Sequence, residues 1–367
     1  MGCDGCSKKE DFVRVKEIGN QSGICHSYLI KSKETGEELA LKRINISYSK
    51  SEVKKYLNEI KLLKKLNHPN IIQFIYAYNS KDKQFLNVIT EYADGGDLLT
   101  KFNEHKENKE YFKEDILLNW FMQICLALKH VHKNNILHRD IRPSNIFLMK
   151  QESSNFAKLG YFNVAKELTS NIKKTKTIVA SPLYSAPEII NEKEYSYAAD
   201  IWSLGVTFYQ LIILNYPFEG NTTEEIEKNI LEGKKREIPD DCPYDKKFIE
   251  LIDEMLNIRE EERPSAESIL NKEIIKTRMK CYLKENGFDL NSSQKFDEYK
   301  GDQKIKEAFY SKRKIFIIDN EEVELGEDDI ELVKINEEKR AKKAFIDLYR
   351  QMTMIDEVIK KSRTFEN

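Results

Sequence analysis

The chain has 367 residues, of which 40% are hydrophobic and 33% are charged, a composition that supports a globular core. Lys plus Arg (60) nearly balances Asp plus Glu (62), so the formal net charge of -2 disfavours generic nucleic-acid binding. The six scattered cysteines and the lack of a secretory signal predict reduced thiols and a cytoplasmic protein. The longest apolar runs are too short to span a bilayer.

The N-terminus, MGCDGCSKKE, allows two interpretations. Gly2 followed by Cys3 and Cys6 resembles a signal for myristoylation and palmitoylation, which would tether the protein peripherally to a membrane. The usual Ser or Thr of that signal is Cys6 here. The alternative is that residues 1–10 form a flexible tail.

Strands with one helix are predicted for the first part of the chain. Residues 12–48 alternate short apolar runs with turn signals, which is typical of β-hairpins. Apolar residues at 53, 57, 60, 63 and 66 have helical spacing, and HPN at 68–70 ends that helix. Further strands are predicted near 71–78 and 84–92.

Long helices are predicted for the next part of the chain. Residues 114–133 place Ile116, Trp120, Ile124 and Leu128 on one face. More helices are predicted at 198–214, 222–232, 245–256 and 265–275. The pattern predicts an α+β protein with a small β-rich lobe, a larger helical lobe and a cleft between them.

The C-terminal part is predicted to be an extension of the main domain. Residues 285–328 are a polar linker in which KIFIIDNEEVEL could form a short hairpin. Residues 329–362 are predicted to form a long charged helix. Their apolar spacing of four and three is that of a coiled-coil seam, which would join two copies in a homodimer. Docking of this helix onto the main domain is the alternative.

Six short fragments carry charged or amide residues in a defined order along the chain. LALK places Lys42 at the end of a strand, Glu59 lies in the helix that follows, and HRDIRPSN supplies Asp140 and Asn145. Three more fragments carry single residues: SAPE has Glu188, ADIWSLG has Asp200 and ERPS has Arg263. Each fragment alone is a weak signal, but their joint order is specific and resembles that of a protein kinase domain.

Four stretches narrow the resemblance further: HPNIIQF, EYADGGDLL, WFMQICLALKHVHKNNILHRDI and NIFL. They resemble sequences of the NIMA-related (NEK) serine/threonine kinases, and the resemblance extends over residues 11–284. The resemblance implies a bilobal kinase fold with an N-lobe at 11–91, a hinge at 91–93 and a C-lobe at 94–284. It implies that Glu91 to Ala93 hold the adenine after the gatekeeper Thr90, and that Ala40 and Phe147 sandwich the ring.

The other motif residues acquire roles from the same resemblance. Lys42, paired with Glu59, would reach nucleotide phosphates, although the alternative is a surface salt bridge. For Glu188 with Arg263 we expect a buried pair that ties the large lobe together. Asp200 is expected to brace the catalytic loop from its helix.

The family pattern breaks where Asp-Phe-Gly is expected, because Tyr161-Phe162-Asn163 stands there. The missing aspartate holds the Mg²⁺ that bridges the nucleotide phosphates. A phenol with a pKa near 10 is only about 0.1% ionised at pH 7 and is a poor ligand for hard, octahedral Mg²⁺. Asn163 is the milder change, because asparagine tolerates the left-handed backbone conformation that glycine usually supplies.

The glycine-rich loop, IGNQSGICH, is also degraded. Gly19 is kept, but Gln21 and Ile24 occupy the expected places of the second and third glycines, whose backbone must approach phosphates without a Cβ. With a one-residue insertion, Gly23 could stand in for the last glycine.

The catalytic loop, by contrast, is retained. Asp140 is the general base or hydroxyl-orienting residue of an active kinase, Asn145 is a metal ligand, and Arg142 keeps the positive charge of the usual lysine. Asp140 could instead only hydrogen-bond its own loop.

In the activation segment, Thr177 and Ser181 resemble the family's activating and substrate-facing threonines. Phosphorylation of Thr177 could order the segment through an arginine such as Arg139. The alternative is an ordinary surface threonine.

Three hypotheses follow. The first is a pseudokinase that binds ATP weakly, binds Mg²⁺ poorly and regulates or scaffolds protein partners. It is favoured because the degraded glycine-rich loop and the replacement at Tyr161 both affect the binding of phosphates and metal. The second is an active kinase that phosphorylates a protein substrate with an atypical metal site. The third is a membrane-tethered scaffold in which the kinase fold is passive and the tail carries the function. The expected location is the cytoplasm, with association to membrane or cytoskeleton as a further expectation.

Overall fold

The computed structural model describes residues 12–19, 24–33, 36–47, 50–80, 82, 84–150, 156–168, 182–285, 314–318 and 321–325. These residues divide into two compact units. The smaller unit holds residues 12–64 and 72–92 together with residues 314–325, and the larger unit holds residues 65–71 and 93–285.

The smaller unit is built on a five-stranded antiparallel sheet. Its strands are β1 (Phe12–Glu17), β2 (Cys25–Ser32), β3 (Glu38–Asn45), β4 (Phe74–Asn79) and β5 (Phe85–Glu91). They pair in the order β1-β2-β3-β5-β4, so β1 and β4 are the edges. One helix, α1 (Lys50–Lys65), follows β3.

The two faces of this sheet carry different apolar clusters because side chains alternate along a strand. On one face, Ile44 and Val88 pack with Tyr56 and Ile60 of α1. The opposite face carries a second cluster, whose buried members are Tyr28, Ile30, Leu39 and Ile89.

The larger unit is mainly helical. Its helices are α2 (Leu98–Asn108), α3 (Glu114–Lys133), α4 (Pro187–Ile190), α5 (Tyr197–Ile213), α6 (Thr223–Leu231), α7 (Lys246–Met255), α8 (Ala266–Leu270) and α9 (Glu273–Glu285). Helix α3 has the predicted bounds, and its residues Phe121, Ile124 and Leu128 are fully buried. A β-rich unit and a helical unit together confirm the predicted α+β class.

Four short strands complete the larger unit and position its loops. They are β6 (Ile136–Leu137), β7 (Ile146–Met149), β8 (Phe156–Leu159) and β9 (Lys166–Glu167), paired β6 with β9 and β7 with β8. A last pair, β10 (Lys314–Ile318) and β11 (Glu321–Leu325), forms an antiparallel hairpin within the predicted linker.

The predicted helix at 265–275 is wrong, because two helices occupy this stretch. Ser265 caps α8 by accepting a hydrogen bond from the Ser268 amide, and the helix ends at Leu270, with Asn271 as its C-cap. The Asn271 side chain donates to the Glu267 carbonyl at 3.0 Å, which satisfies one of the last carbonyls of α8. The chain then starts α9 at Glu273.

Residues 65–71, which fall inside the predicted N-lobe, pack with the larger unit. The Asn70 carbonyl accepts a hydrogen bond from the Leu159 amide at 2.7 Å, and the Asn70 side chain donates to the Ala157 carbonyl at 2.9 Å. Asn70 is fully buried, so these bonds hold the loop on β8, the strand that leads into Tyr161. In the described part of the chain, none of the helices is both long enough and apolar enough to cross a bilayer.

Candidate active site

The smaller unit contributes a lysine–glutamate pair. Strand β3 carries Lys42 and α1 carries Glu59, on the face of the sheet that α1 covers. The Lys42 ammonium lies 3.0 Å from both carboxylate oxygens of Glu59, and the two side chains are 19% and 6% exposed. A pair this buried is different from the surface salt bridge considered from the sequence, because desolvation strengthens the attraction between the two charges.

The predicted adenine-binding residues of the smaller unit lie on adjacent strands. Ala40 of β3 is directly opposite Thr90 of β5. The Thr90 hydroxyl donates to the Glu91 carbonyl at 3.2 Å, and the Glu91 carboxylate accepts from the Gln73 amide at 2.6 Å. The Glu91 backbone amide also donates to the Gln73 carbonyl at 3.1 Å, so both the side chain and the amide of Glu91 bind the backbone of Gln73.

The structure describes the backbone at three further residues that were predicted to bind the nucleotide, Gly19, Ala93 and Phe147. Gly19 has a φ of +65°, a left-handed conformation that favours glycine. Ala93 and Phe147 belong to the larger unit, where Phe147 lies on β7 opposite Lys158 of β8. Gly23 lies outside the described residues.

The catalytic loop of the larger unit brings Asp140, Arg142 and Asn145 together. The Asn145 side-chain amide donates to the Asp140 carbonyl at 2.7 Å and to its carboxylate at 2.8 Å. The Nε atom of Arg142 lies 3.3 Å from the other carboxylate oxygen. Asp140 is therefore held by its own loop, and its carboxylate lies beside a cation, an arrangement compatible with both interpretations of this residue.

Asp200 of α5 binds the backbone at the start of the catalytic loop. Its carboxylate accepts the backbone amides of His138 at 3.0 Å and Arg139 at 2.9 Å, and it lies 2.9 Å from Nε2 of His132. Asp200 is 1% exposed. Burial acts to raise the pKa of Asp200, but the hydrogen bond and charge of His132, the charge of His138 and the hydrogen bond of the Arg139 amide together hold the pKa below its usual value.

His138 links the catalytic loop to the segment that contains Tyr161. Its Nδ1 accepts from the Asp140 amide at 3.3 Å, so Nε2 carries the proton and donates to the Gly160 carbonyl at 3.0 Å. Burial lowers the pKa of His138, while Asp200 and Asp140 act in the opposite direction. His138 was not singled out from the sequence, although its place in HRD, just before Arg139, was the available signal.

The segment Gly160–Asn163 keeps the backbone contacts of this site. The Gly160 amide donates to the Asn145 carbonyl at 3.0 Å. Phe162 is fully buried and packs edge-on against His138, with ring centroids 4.7 Å apart. Tyr161 stands between these two anchored residues and is 38% exposed.

Tyr161, and not Asn163, adopts the left-handed conformation, with a φ of +68°. Asn163, which would tolerate this conformation, does not adopt it. The hydrogen bonds of Gly160 and the burial of Phe162 fix the chain on both sides of Tyr161, so the turn is made at that residue. A bulky side chain is uncommon at positive φ, which points to local strain.

The structure pairs Glu188 with Arg263. Both guanidinium NH groups bind the carboxylate oxygens, at 2.7 and 2.8 Å, and the Arg263 side chain is fully buried. The guanidinium also lies 5.0 Å from the ring centroid of Trp202 on α5. This pair joins α4 to the chain before α8 and contributes to architecture.

Arg139, the expected partner of a phosphorylated Thr177, has other contacts in this structure. Its Nε donates to the Val164 carbonyl at 2.6 Å and its NH1 to the Tyr195 hydroxyl at 3.4 Å. Thr177 and Ser181 lie outside the described residues. The same holds for the predicted acylation residues Gly2, Cys3 and Cys6 and for the predicted helix at 329–362.

Comparison with known proteins gives one consistent result. The family model described as the protein kinase domain matches residues 12–275. The chain is 36% identical over 275 residues to the mouse serine/threonine-protein kinase Nek1, covering 75% of this chain and 22% of the relative. It is 35% identical to human Nek5 over 270 residues (73% and 37%) and 34% identical to human Nek2 over 276 residues (73% and 60%). The chain thus spans less than two thirds of the length of these curated relatives.

Proposed function

The chain belongs to the NIMA-related family of protein kinases, and from this premise we propose that it is a pseudokinase. In this proposal the kinase fold regulates or scaffolds protein partners, and Mg²⁺-dependent phosphoryl transfer is impaired. A kinase domain in general uses ATP and Mg²⁺.

One observation carries the proposal: Tyr161 occupies the anchored, left-handed position at which the family resemblance places the metal-binding aspartate. Because Gly160 and Phe162 are held on either side, the change affects the side chain and leaves the backbone frame in place. A protonated phenol has no negative charge to offer a divalent cation.

The remaining donors fit Mg²⁺ poorly. The Asn145 amide nitrogen is used twice on Asp140, which leaves one neutral amide oxygen and one carboxylate that already contacts Arg142. Mg²⁺ prefers carboxylates and phosphate oxygens in near-octahedral geometry. Within the described residues, no three His, Cys, Asp or Glu side chains come together in a way that could hold a metal ion.

The residues of the smaller unit fit a nucleotide better than those of the larger unit fit the metal. ATP would bring a triphosphate, and the Lys42 ammonium, held by Glu59, is a suitable cation for its phosphates. We therefore propose weak ATP binding that does not depend on Mg²⁺.

A second candidate is an active serine/threonine kinase with atypical metal handling. The observation that favours it is the ordered catalytic loop, in which Asp140 and Asn145 are in hydrogen-bond contact on a base fixed by Asp200. The names of the curated relatives are those of serine/threonine kinases.

A phosphoryl-transfer assay separates the two candidates. We expect the wild type and an Asp140→Asn variant to give the same background rate on a generic protein acceptor, with Mg²⁺ or Mn²⁺. We expect Tyr161→Asp to raise the rate by about 10²-fold or more, because a well-placed electrostatic group commonly contributes about 10²–10³ in rate. Transfer by the wild type that is lost in Asp140→Asn would refute the pseudokinase proposal.

A thermal-shift titration with ATP tests the nucleotide part of the proposal. A ligand that binds only the folded state raises the melting temperature. We expect the wild type to show the same small shift with and without Mg²⁺, and Tyr161→Asp to show a larger shift when Mg²⁺ is added. A wild-type shift that requires Mg²⁺ would contradict the proposal, and no shift at all would leave a pure scaffold.

Two further proposals concern residues outside the described part of the chain. We propose acylation at Gly2 with Cys3 and Cys6, because the sequence MGC resembles that signal. Myristate labelling that is equal in the wild type and Gly2→Ala would exclude it.

We also propose a homodimer through residues 329–362. Light scattering should then give the mass of a dimer for the full chain and the mass of a monomer after deletion of residues 329–367.

A further inference from the structure

A cleft of about 500 Å³ lies within the larger unit, where the C-terminal end of α3, the first turns of α5 and the start of α8 come together. Clefts that bind ligands in proteins commonly have volumes of about 300–1,000 Å³. Asp140, Asn145 and Tyr161 are not among the residues that line it. We call it the α3–α8 cleft, and it is separate from the candidate active site.

The charged residues that line the α3–α8 cleft are mostly cationic. They are Lys129, Lys133 and Arg263, and Glu267 is the one acidic residue of the lining. The Arg263 side chain is fully buried, and its charge is balanced by the carboxylate of Glu188. The two lysines are therefore the cations that a ligand in the cleft can reach.

Both lysines can accept a new anionic partner. The Nζ atom of Lys129 lies 3.0 Å from the Glu267 carboxylate, and the two side chains are 25% and 61% exposed. Water screens an ion pair this exposed, so a carboxylate of a ligand can replace Glu267 at little cost. Lys133 is exposed and forms no ion pair with any residue that the structure describes.

The spacing of the two lysines fits an extended peptide. Lys129 and Lys133 are four residues apart on α3, so they lie on the same side of the helix and are separated by about 6 Å along its axis. Alternate side chains of an extended chain are about 6.6 Å apart and point to the same side. Two carboxylates that flank one other residue can therefore meet the two lysines together.

The cleft also has an apolar lining that is held in place by the larger unit. The Tyr197 ring packs on the His132 ring with centroids 4.6 Å apart, and Nε2 of His132 lies 2.9 Å from the Asp200 carboxylate. Ile201 is 1% exposed, and Pro264 lines the cleft before α8. These contacts give a preformed surface for an apolar side chain, which lowers the cost of ordering on binding.

We propose that the α3–α8 cleft binds an extended acidic segment of a protein partner. Alternate carboxylates of the segment bind Lys129 and Lys133, and the apolar residue between them packs on Tyr197 and Pro264. The inference goes beyond the proposed function and holds for a pseudokinase and for an active kinase alike, because it uses neither Asp140 nor Tyr161.

Fluorescence anisotropy of the full chain with the labelled peptide GELELEG tests the proposal. We expect Lys133→Glu to weaken binding by about tenfold or more, because it replaces an attraction by a repulsion. The matched control is Lys246→Glu, which makes the same change of net charge at an exposed position of α7 outside the cleft and should bind like the wild type. The uncharged peptide GQLQLQG should bind at least about tenfold more weakly than GELELEG.

A second variant changes the affinity in the opposite direction. Glu267→Gln removes the carboxylate that competes for Lys129, so we expect it to strengthen binding of GELELEG by about threefold or more. Glu267 is an exposed residue of α8, so its replacement should leave the fold intact.

Four results would overturn the proposal. They are no binding of GELELEG by the wild type at about 1 mM, equal binding by Lys133→Glu and Lys246→Glu, equal binding of the two peptides, and weaker binding by Glu267→Gln. A membrane is the competing partner of the lysines, and vesicles containing phosphatidylserine distinguish it. Vesicle binding that is lost in Lys133→Glu, without binding of GELELEG, would assign Lys133 to a lipid surface and refute the peptide site.

Discussion

The catalytic loop, residues 138–145, and the segment 160–163 lie in the same unit and contact each other. They differ in how many of the side chains expected from the kinase pattern they retain. The loop retains Asp140 and Asn145 in mutual hydrogen-bond contact. The segment has lost its expected carboxylate at Tyr161, while Gly160 still receives a hydrogen bond from His138 and donates one to the Asn145 carbonyl.

The difference shows which contacts constrain each region. The bonds that join the two regions use the backbone atoms of Gly160 and a histidine ring, so they do not depend on the side chain at position 161. Replacing an aspartate by Tyr161 can therefore remove a metal ligand and leave the frame intact. The backbone arrangement of the two regions would be lost if a side chain that binds backbone amides, such as that of Asp200, were replaced. The effects of replacing Asp200 and Tyr161 on stability can be compared by measurement.

The largest effect is expected for Asp200→Ala. The substitution leaves the buried amides of His138 and Arg139 without their acceptor and removes the partner of His132. Loss of a buried, hydrogen-bonded carboxylate should lower the free energy of unfolding by about 3–5 kcal/mol. Urea denaturation followed by circular dichroism measures this change.

The matched control for that variant is Glu254→Ala. Glu254 forms an exposed ion pair with Lys272 at 2.7 Å, and such pairs contribute at most about 1 kcal/mol. A similar loss of stability in both variants would show that Asp200 does not brace the catalytic loop in the way the hydrogen bonds indicate.

Much of the fold could be predicted from the sequence because its signals are local. The apolar periodicity of α3 predicted its bounds, and the order of Lys42, Asp140 and Glu188 along the chain predicted the protein kinase domain. The division of residues 265–275 was not predicted, because it depends on capping hydrogen bonds of Ser265 and Asn271.

The site was less predictable than the fold. The left-handed conformation falls on Tyr161 because Gly160 and Phe162 are held by His138, a residue distant from them in sequence. Intrinsic preference alone would favour Asn163 over Tyr161 for this conformation. Tertiary contacts override such a preference, and no local pattern records them.

A smaller effect is expected from the acid titration of His68, which lies in the loop that Asn70 holds on β8. Burial, followed by the charges of His130 and Lys158, lowers the pKa of His68 to about 3. Its ring stacks on that of His130 at 5.1 Å, and its Nδ1 accepts the Asn70 amide at 3.1 Å. Below the unfolded pKa of about 6.5 the unfolded state binds more protons, so stability falls as the pH is lowered from about 6.5.

The measurement is the free energy of unfolding in urea at several pH values between 6.5 and 4.5. One such group contributes a slope of at most about 1.4 kcal/mol per pH unit. The variant His68→Asn does not titrate, and an asparagine can accept the amide two residues ahead, so its slope should be smaller by up to that amount. Equal slopes in the wild type and His68→Asn would show that His68 does not titrate differently in the two states.

The smallest effect is expected for Tyr161→Asn, which tests the strain at the contrasted position directly. Asparagine is tolerated at a φ of +68° far better than tyrosine, so relief of the left-handed conformation should raise the free energy of unfolding by about 1 kcal/mol. Tyr161 is 38% exposed, so only part of its apolar surface is lost in exchange. Leu214→Gly is the matched control, because Leu214 has a φ of +50° at the end of α5 and should also gain stability. If Leu214→Gly is stabilised and Tyr161→Asn is destabilised, the tyrosine side chain itself must hold the segment, and position 161 would belong to the frame.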